Sequence, residues 1–271
     1  MENKQLQKIA NNLRKNIIKM VANAKSGHIG GSLSIADIIT VLYFEEMNIT
    51  SANIKDKERD KFVLSKGHAS PALFGILHEK GFIEAEELMT FRKINSRLQG
   101  HPSMIYVDGV DMSTGSLGQG ISTAVGMALS YKAKALDYRV YSILGDGETQ
   151  EGQVWEAAMA AGHYKLDNLV VFLDLNGLQI DGDITKVMNP LPLDKKFEAF
   201  NWNVITIDGH NYDEIKNALQ QAREFKGKPT MIVAHTIKGK GVSFMENQYG
   251  WHGVAPNQEE FEAAMLELEA K

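Results

Sequence analysis

Two short polar segments follow predicted buried strands and contain side chains that could hold a metal ion. Asp146, within Gly-Asp-Gly at 145–147, follows the apolar segment Val140–Leu144, and Asn176 follows the apolar segment Leu169–Leu175. Because ligands of parallel α/β sheets bind at the carboxyl ends of the strands, both side chains are expected at one edge. Carboxylate, amide and backbone carbonyl oxygens are ligands that Mg²⁺ accepts. The pair therefore favours a magnesium–phosphate site, although Gly-Asp-Gly alone is more often a simple strand-to-helix turn.

Four histidines and one lysine are predicted in loops that could face the same site. The histidines each lie beside a glycine or a proline: His28, His68, His101 and His252. Imidazole can donate or accept a proton near neutral pH, and loops carry functional residues disproportionately. Lys238 follows the apolar segment Thr230–Thr236, so its ammonium could pair with phosphate oxygens at the ligand-binding edge. The other histidines match no motif and are expected to be structural: His78, His163, His210 and His235.

Alternating apolar strands and amphipathic helices would position these residues. Four segments that are apolar on both faces predict buried parallel strands: Val140–Leu144, Leu169–Leu175, Asn203–Ile207 and Thr230–Thr236. Phe62–Leu64 is a further short apolar run. Predicted helices are Gln5–Ala24, Ser34–Met47, Gly118–Leu136, Glu151–His163, Tyr212–Phe225 and Gln258–Ala270. The alternation predicts one doubly wound α/β domain over residues 1–271, with a mostly parallel sheet and helices on both faces.

Composition excludes several classes of protein. The chain has 271 residues, 44% of them hydrophobic, and 34 acidic against 29 basic residues give a formal net charge of −5. This charge disfavours a general nucleic-acid binder. There is no apolar run of about 18 residues for a membrane span and no secretory signal at the N-terminus. Without cysteine there can be no disulfide, thiolate nucleophile or cysteine-ligated metal. A soluble cytoplasmic protein, with neither nucleic acid nor membrane as partner, is expected.

The metal-binding pattern resembles a known cofactor signature. Gly-Asp-Gly is followed by 28 residues, 148–175, and then by Asn176, and this arrangement is similar to the thiamine-diphosphate-binding motif. The resemblance implies that Asp146, Asn176 and the backbone carbonyl of Leu178 hold Mg²⁺, for which Ca²⁺ or Mn²⁺ could substitute. The cation would in turn hold the diphosphate of thiamine diphosphate, and the fold would be the thiamine-diphosphate-binding fold.

Further motifs narrow the resemblance to transketolases. The resemblance runs from about Asn11 to Pro256, nearly the whole chain. Its motifs appear in the family's order: 26–28, 65–68, 100–102, 114–120, 151–157, 236–241 and 251–253. Any one of them is weak, whereas seven in register are specific.

The resemblance also implies a role for individual residues. His28 and His101 would contact the sugar hydroxyls and the reacting carbonyl oxygen, His68 would lie near the diphosphate, and His252 would move protons. Together these four are the predicted catalytic residues. The predicted cofactor-binding residues are His68, Gly115, Ser116, Leu117, Gly147, Glu148, Asn176, Lys238 and His252. Within that set, Gly115 and Leu117 belong to a turn that would pack close to the aminopyrimidine ring. Glu151 and Glu156 would reach a subunit interface and link two active sites.

A transketolase needs a second domain, for the aminopyrimidine, and no segment here resembles it. The chain is therefore expected to be the N-terminal, diphosphate-binding subunit of a split transketolase. Its partner would be a C-terminal subunit of about 300 residues, with two copies of each chain. The implied reaction transfers a two-carbon ketol unit from a ketose phosphate to an aldose phosphate.

Other functions remain open at this stage. A deoxyxylulose-phosphate-synthase-like enzyme is disfavoured by the 151–157 segment, which fits transketolases better. A related half-enzyme for another sugar phosphate is compatible with every motif, and so is a non-catalytic cofactor-binding or regulatory subunit. A nicotinamide-binding Rossmann domain is disfavoured because no Gly-x-Gly-x-x-Gly turn opens the first βαβ unit.

Overall fold

The computed structural model describes residues 1–270, so Lys271 at the end of the predicted domain lies outside the described residues. Five parallel strands form the central sheet: β1 (Lys61–Leu64), β2 (Val140–Gly145), β3 (Leu169–Leu175), β6 (Asn203–Asp208) and β7 (Thr230–His235). A two-stranded antiparallel hairpin follows β3: β4 (Leu178–Gln179) and β5 (Gly182–Asp183). The order across the sheet is β1-β2-β3-β7-β6. The predicted parallel α/β sheet is confirmed, and each of its four predicted strands lies within one residue of its predicted bounds. Strand β1 contains the apolar run Phe62–Leu64, and the β4–β5 hairpin was not predicted.

The register aligns the carboxyl ends of the strands. Gly145 of β2 pairs with Asp174 of β3, and Leu175 of β3 pairs with His235 of β7. The segments that follow β1, β2, β3 and β7 therefore leave the sheet at one edge. This edge carries the polar residues that the sequence singled out.

Helices cover both faces of the sheet, as predicted. The α-helices are α1 (Asn3–Ala24), α2 (Gly30–Leu33), α3 (Ala36–Val41), α4 (Ser70–Glu79), α5 (Ala85–Leu88), α6 (Gln119–Ala133), α7 (Gly152–His163), α8 (Ile184–Met188), α9 (Leu193–Ala199), α10 (Tyr212–Glu224) and α11 (Gln258–Glu269). Helices α1, α3, α4, α10 and α11 share one apolar core with alternate strand residues such as Phe172. Helices α6, α7 and α9 share the other core with neighbouring strand residues such as Val171. Alternation of side chains along each buried strand supplies both cores.

The helical predictions differ from the structure at several places. The predicted helix Ser34–Met47 begins two residues late, at Ala36 of α3, because Ile35 departs from the helical conformation after the short helix α2. Its last turn, Leu42–Glu46, is a π-helix, in which the Met47 N–H donates to the Leu42 carbonyl at 2.8 Å. Helix α4 was not predicted because residues 70–77 are buried all round, which removes the amphipathic period.

Within residues 1–270, the structure contains no helix with the length and apolar character needed to cross a membrane.

Candidate active site

A cavity of about 410 Å³ opens at the carboxyl edge of the sheet. It collects most of the residues predicted to act: His28, His68, His101, Gly115, Leu117, Asp146, Gly147, Glu148, Glu151, Asn176, Leu178, Lys238 and His252. Ser116 instead lines an adjoining cavity that shares His101 and Gly115. A larger groove of about 940 Å³ lies between α1 and the segment 253–258, but it contains none of the predicted site residues. The chemistry of the side chains, rather than cavity size, identifies the candidate site.

The carboxylate of Asp146 is buried at the end of β2 and held in place by backbone donors. Its Oδ1 accepts from the Gly147 N–H at 2.7 Å, and its Oδ2 accepts from the Gly177 N–H at 2.6 Å. Burial, together with the negative charge of Asp174, raises the pKa of Asp146 to about 6. A cation bound to this carboxylate would offset both effects.

Two further oxygens lie beside Asp146 in the turn after β3. The Asn176 side-chain oxygen accepts from the Leu178 N–H at 3.1 Å, and its amide nitrogen donates to Asp174 at 3.0 Å. The Leu178 carbonyl accepts from the ammonium of Lys238 at 3.1 Å, so this oxygen already faces a positive charge. One carboxylate, one amide oxygen and one carbonyl form a donor set suited to Mg²⁺. Within residues 1–270, no group of three or more His, Cys, Asp or Glu side chains is placed to hold a metal ion.

A buried ion pair that was not foreseen from the sequence supports this turn. Asp174 is fully buried and accepts from Lys66 at 2.5 Å and from the Ser34 hydroxyl at 2.8 Å, with Thr236 as a further donor. Burial alone would raise the pKa of Asp174, but Lys66 and the hydroxyl donors outweigh it and lower the pKa. An aspartate inside an otherwise apolar strand was a signal for such a pair, because a buried charge needs a partner. Through Asn176, the pair orients the turn that carries the candidate metal ligands.

Three of the predicted histidines form a cluster. The ring centroids of His28 and His68 are 5.1 Å apart, those of His68 and His252 are 5.2 Å apart, and those of His28 and His252 are 5.4 Å apart. Burial, followed by the charges of nearby cations, lowers the pKa of His28 to about 4 and that of His252 to about 3. The pKa of His68 is likewise well below its ordinary value. All three rings are therefore neutral at pH 7 and can each offer one donor and one acceptor.

His101 lies against the turn at 114–117. A Cβ at Gly115 would lie 3.0 Å from Cγ of His101, so this glycine allows the ring to approach the backbone closely. His101 is thus one close neighbour of Gly115, and packing of this glycine against the aminopyrimidine stays a prediction. Burial, with the charge of Arg92, lowers the pKa of His101.

Arg92 is a second residue that was not foreseen from the sequence. Its guanidinium donates to the Ser26 hydroxyl at 3.1 Å and lies so close to Gly100 that a Cβ there would come within 2.5 Å of Nη2. It therefore contacts both loops that carry His28 and His101. No motif or spacing in the sequence pointed to it.

The three predicted glutamates have different surroundings. Glu148 is buried, and its carboxylate accepts from the Ser65 hydroxyl at 2.6 Å, the Gly118 N–H at 2.9 Å and the Gly145 N–H at 3.0 Å. These bonds join three segments of the site, and the cofactor-binding role of Glu148 stays a prediction. Glu151 is exposed at the rim of the cavity, whereas Glu156 is exposed on α7 outside it.

Lys238 extends into the cavity from the loop after β7. Its residue is 2% exposed, and its Nζ lies 3.0 Å from Nδ1 of His252. Burial and the like charge of Lys66 lower its pKa to about 8, although Asp146 acts in the opposite direction. Lys238 thus lies between the candidate metal ligands and the histidine cluster.

Comparison with known proteins agrees with this arrangement. Residues 5–269 match the family described as transketolase, thiamine diphosphate binding domain. The chain belongs to this transketolase family. The resemblance read from the sequence, the fold and the assignment to transketolase-type transferases are therefore confirmed, and thiamine diphosphate is the cofactor of this family's domain.

Two relatives of similar length are named as subunits. The 6-deoxy-6-sulfo-D-fructose transketolase subunit SqwG of Clostridium sp. (strain MSTE9) is 48% identical over 97% of this chain and 96% of that protein. An apulose-4-phosphate transketolase subunit of Phocaeicola vulgatus is 42% identical over 94% of this chain and 90% of that protein.

Other transketolases are longer than this chain. Human transketolase is 44% identical over 92% of this chain, which spans 39% of the human protein. The crystal structure of transketolase from Campylobacter jejuni superposes with a TM-score of 0.93 and 37% identity, covering 99% of this chain and 43% of that one. This chain therefore matches less than half of each of these longer transketolases.

Proposed function

We propose that this chain is the diphosphate-binding subunit of a split transketolase, which transfers a two-carbon ketol unit from a ketose phosphate to an aldose phosphate. The observation that carries the proposal is a single cavity in which oxygen ligands for a cation face a cluster of neutral histidines. The family match supports the cofactor, and the two subunit relatives support the division into two chains. In this proposal the chain acts as one domain in the cytoplasm.

Asp146, Asn176 and the Leu178 carbonyl would hold Mg²⁺ on the diphosphate. Lys238, with its ammonium beside Leu178, would neutralise part of the diphosphate charge. His68, Gly147 and Glu148 would complete this end of the site, while the turn 115–117 would face the aminopyrimidine. When bound, thiamine diphosphate would supply a nucleophilic thiazolium carbon and a ring that can serve as an electron sink.

The histidines would orient the sugar and move protons. The ammonium of Lys238 can only donate, so Nδ1 of His252 accepts and the ring proton of His252 lies on Nε2. The Nε2–H group of His252 is therefore the candidate hydrogen-bond donor to the ketose phosphate that supplies the two-carbon unit. Nδ1 of His28 is buried without a partner among the described residues, which leaves its Nε2 as the candidate contact for a hydroxyl. Burial and the charge of Arg92 lower the pKa of His101 and so favour its neutral form. This ring would hold the reacting carbonyl oxygen.

The partner would cover the open side of the cavity with a pyrimidine-binding domain. Ile180 in the β4–β5 hairpin lines the cavity and is 58% exposed, and Met188 at the end of α8 is 65% exposed. The Met188 carbonyl accepts from the side chain of Gln150, which also lines the cavity. Exposed apolar side chains at the rim of a polar site are typical of a surface that another protein covers. Two copies of each chain would assemble, with Glu151 and Glu156 toward the interface.

Co-expression with the product of the neighbouring open reading frame tests the assembly. Gel filtration, with protein, thiamine diphosphate and ketol transfer measured across the column, should give one peak that contains both chains, the cofactor and the activity. Ile180→Glu should separate the chains, whereas Glu262→Gln on the distant helix α11 should not. Active material that lacks a second polypeptide would refute the split enzyme.

A second candidate differs only in the sugar. The 48% identity with a subunit named for 6-deoxy-6-sulfo-D-fructose favours a specialised donor over the common pentose phosphates. Assays of the complex with xylulose 5-phosphate, fructose 6-phosphate, 6-deoxy-6-sulfo-D-fructose and apulose 4-phosphate would separate these possibilities. A complex that binds thiamine diphosphate and transfers from none of them would favour the non-catalytic, regulatory subunit.

A further inference from the structure

A buried charged cluster lies behind the candidate site, centred on Asp37 of α3. Asp37 is 4% exposed and accepts two hydrogen bonds from the Arg14 guanidinium, at 3.1 and 2.5 Å. It also accepts from the Tyr212 hydroxyl at 2.6 Å and from Nδ1 of His210 at 2.8 Å. Every oxygen of this buried carboxylate is therefore satisfied, as a buried charge requires.

The second nitrogen of His210 reaches the loop that carries Lys238. Nε2 lies 2.9 Å from the backbone nitrogen of Ile237, and because that N–H can only donate, Nε2 accepts. The ring proton is then on Nδ1 and is donated to Asp37. A single neutral tautomer thus joins Asp37 to the residue directly before Lys238.

The same cluster also holds the other side of the loop. Nε of Arg14 donates to the Lys240 carbonyl at 3.1 Å, two residues after Lys238. Between these anchors, the Gly239 N–H donates to the Gly30 carbonyl at 3.0 Å. The backbone around Lys238 is therefore fixed on both sides by groups outside the cavity.

The anchoring of this loop matters because the ammonium of Lys238 lies in the field of a second ammonium, that of Lys66. Lys66 and Lys238 both line the cavity, and their like charges repel. With a mobile loop, the ammonium of Lys238 would move away from Lys66, and its contacts with Leu178 and His252 would be lost.

We infer that His210 is a positioning residue, which together with Asp37 fixes the backbone at Ile237 and thereby aims the ammonium of Lys238 into the diphosphate side of the cavity. This inference rests on the proposed function, in which Lys238 binds the cofactor diphosphate. From the sequence, His210 was expected to be structural, since no motif contained it.

Three substitutions separate positioning from general stability. His210→Asn keeps a donor near Nδ1 for Asp37 but is too short to accept from Ile237. His210→Gln places an oxygen near the position of Nε2 and should restore that bond. Tyr212→Phe is the matched control, because it removes one hydrogen bond to Asp37 and leaves the Ile237 contact intact.

Two measurements on the full chain and its complex with the partner test the inference. Hydrogen–deuterium exchange is followed in the peptide that contains Ile237. The affinities for Mg²⁺–thiamine diphosphate and for Mg²⁺ with inorganic diphosphate are measured by calorimetry, with Lys238 present and in the Lys238→Met background. Neither readout depends on turnover.

His210→Asn should accelerate exchange of the Ile237 amide and weaken both ligands about tenfold, the effect of one lost hydrogen bond. In the Lys238→Met background the further loss should be less than about twofold. His210→Gln should recover most of the affinity, and Tyr212→Phe should stay within about twofold of the wild type.

Equal effects of His210→Asn and Tyr212→Phe, or full additivity with Lys238→Met, would overturn the role of His210 while leaving the proposed function intact. Unchanged affinity in Lys238→Met alone would overturn the role of Lys238 and with it this inference. A wild-type complex that binds no thiamine diphosphate would overturn the proposed function itself. If His210→Asn does not fold, His210→Gln decides, since weak binding despite the restored acceptor would count against positioning.

Discussion

The carboxylate of Asp146 accepts a hydrogen bond from the backbone N–H of Gly177, with 2.6 Å between the heavy atoms. This bond joins the end of β2 to the turn after β3, so that segments 31 residues apart in sequence form one structure. The same turn contains Asn176 and Leu178, the other candidate ligands of the cation. Asp146 therefore both shapes the turn and supplies its negative charge.

Asp146→Ala should abolish binding of Mg²⁺–thiamine diphosphate, because it removes the charged ligand of the cation and also the acceptor for Gly177. Asp146→Asn keeps an acceptor and should also bind at least about 100-fold more weakly, because loss of even an outer-shell partner of a metal ligand typically costs about 10- to 100-fold. Titration calorimetry of the complex measures both, with Glu262→Gln on the exposed face of α11 as control. Wild-type affinity in Asp146→Ala would overturn the metal assignment.

Glu148→Gln should destabilise the chain by about 2 kcal/mol, because its amide would direct a donor at one of three groups that now donate to the carboxylate. Glu156→Gln on the exposed face of α7 should change stability by less than about 0.5 kcal/mol. Urea denaturation followed by circular dichroism compares the two. Equal midpoints would show that the Glu148 carboxylate does not hold these segments together.

The clustered histidines should remain neutral well into the acid range. Burial and neighbouring cations lower the pKa of His28 to about 4 and of His252 to about 3, whereas an unfolded histidine titrates near 6.5. Protonation thus favours the unfolded chain, and stability should fall as the pH drops from about 6.5 toward 4. Long-range ¹H–¹⁵N spectra recorded against pH measure the pKa values directly.

Lys238→Met should raise the pKa of His252 in these spectra, since a neighbouring positive charge is removed. His78, which is remote from Lys238, serves as the internal control. Titration of His28 and His252 near 6.5 in the wild type would contradict the electrostatic description of the cluster.

His101→Ala should chiefly lower turnover and leave cofactor affinity within about twofold. If its ring holds the carbonyl oxygen during reaction, the loss in kcat should be about 100-fold, as for other hydrogen-bond donors to developing charge. Steady-state kinetics and calorimetry on the same preparation separate the two effects. A large loss of affinity with normal kcat would assign His101 to cofactor binding instead.

The hydrophobic pattern of the sequence was sufficient to predict the strands of the sheet. It did not predict helix α4 or the π-helical turn at Leu42–Glu46. Strands such as Leu169–Leu175 are apolar on both faces, and this pattern is typical of buried parallel strands. Helix α4 is buried all round and has no such period, and the π-turn at the end of Leu42–Glu46 depends on local hydrogen bonds. The order of the strands also depends on packing between distant segments.

The candidate site was predictable where residues belong to short motifs, and not where their partners come from distant segments. Asp146 and Asn176 were found because a fixed spacing joins them. Lys66 lies within the 65–68 motif, yet its pairing with Asp174 depends on a contact across 108 residues. Arg92 and His210 act through contacts with other loops, and a single sequence contains no record of those contacts.

The most direct test of the central claim is ketol transfer by this chain, by its partner and by their mixture, each with Mg²⁺ and thiamine diphosphate. The donors are xylulose 5-phosphate, 6-deoxy-6-sulfo-D-fructose and apulose 4-phosphate, with ribose 5-phosphate among the acceptors, and Asp146→Ala in the mixture is the inactive control. Activity in the mixture alone is the predicted result. Activity of this chain without a partner, at a rate comparable to the mixture, would contradict a subunit that holds only the diphosphate half of the site.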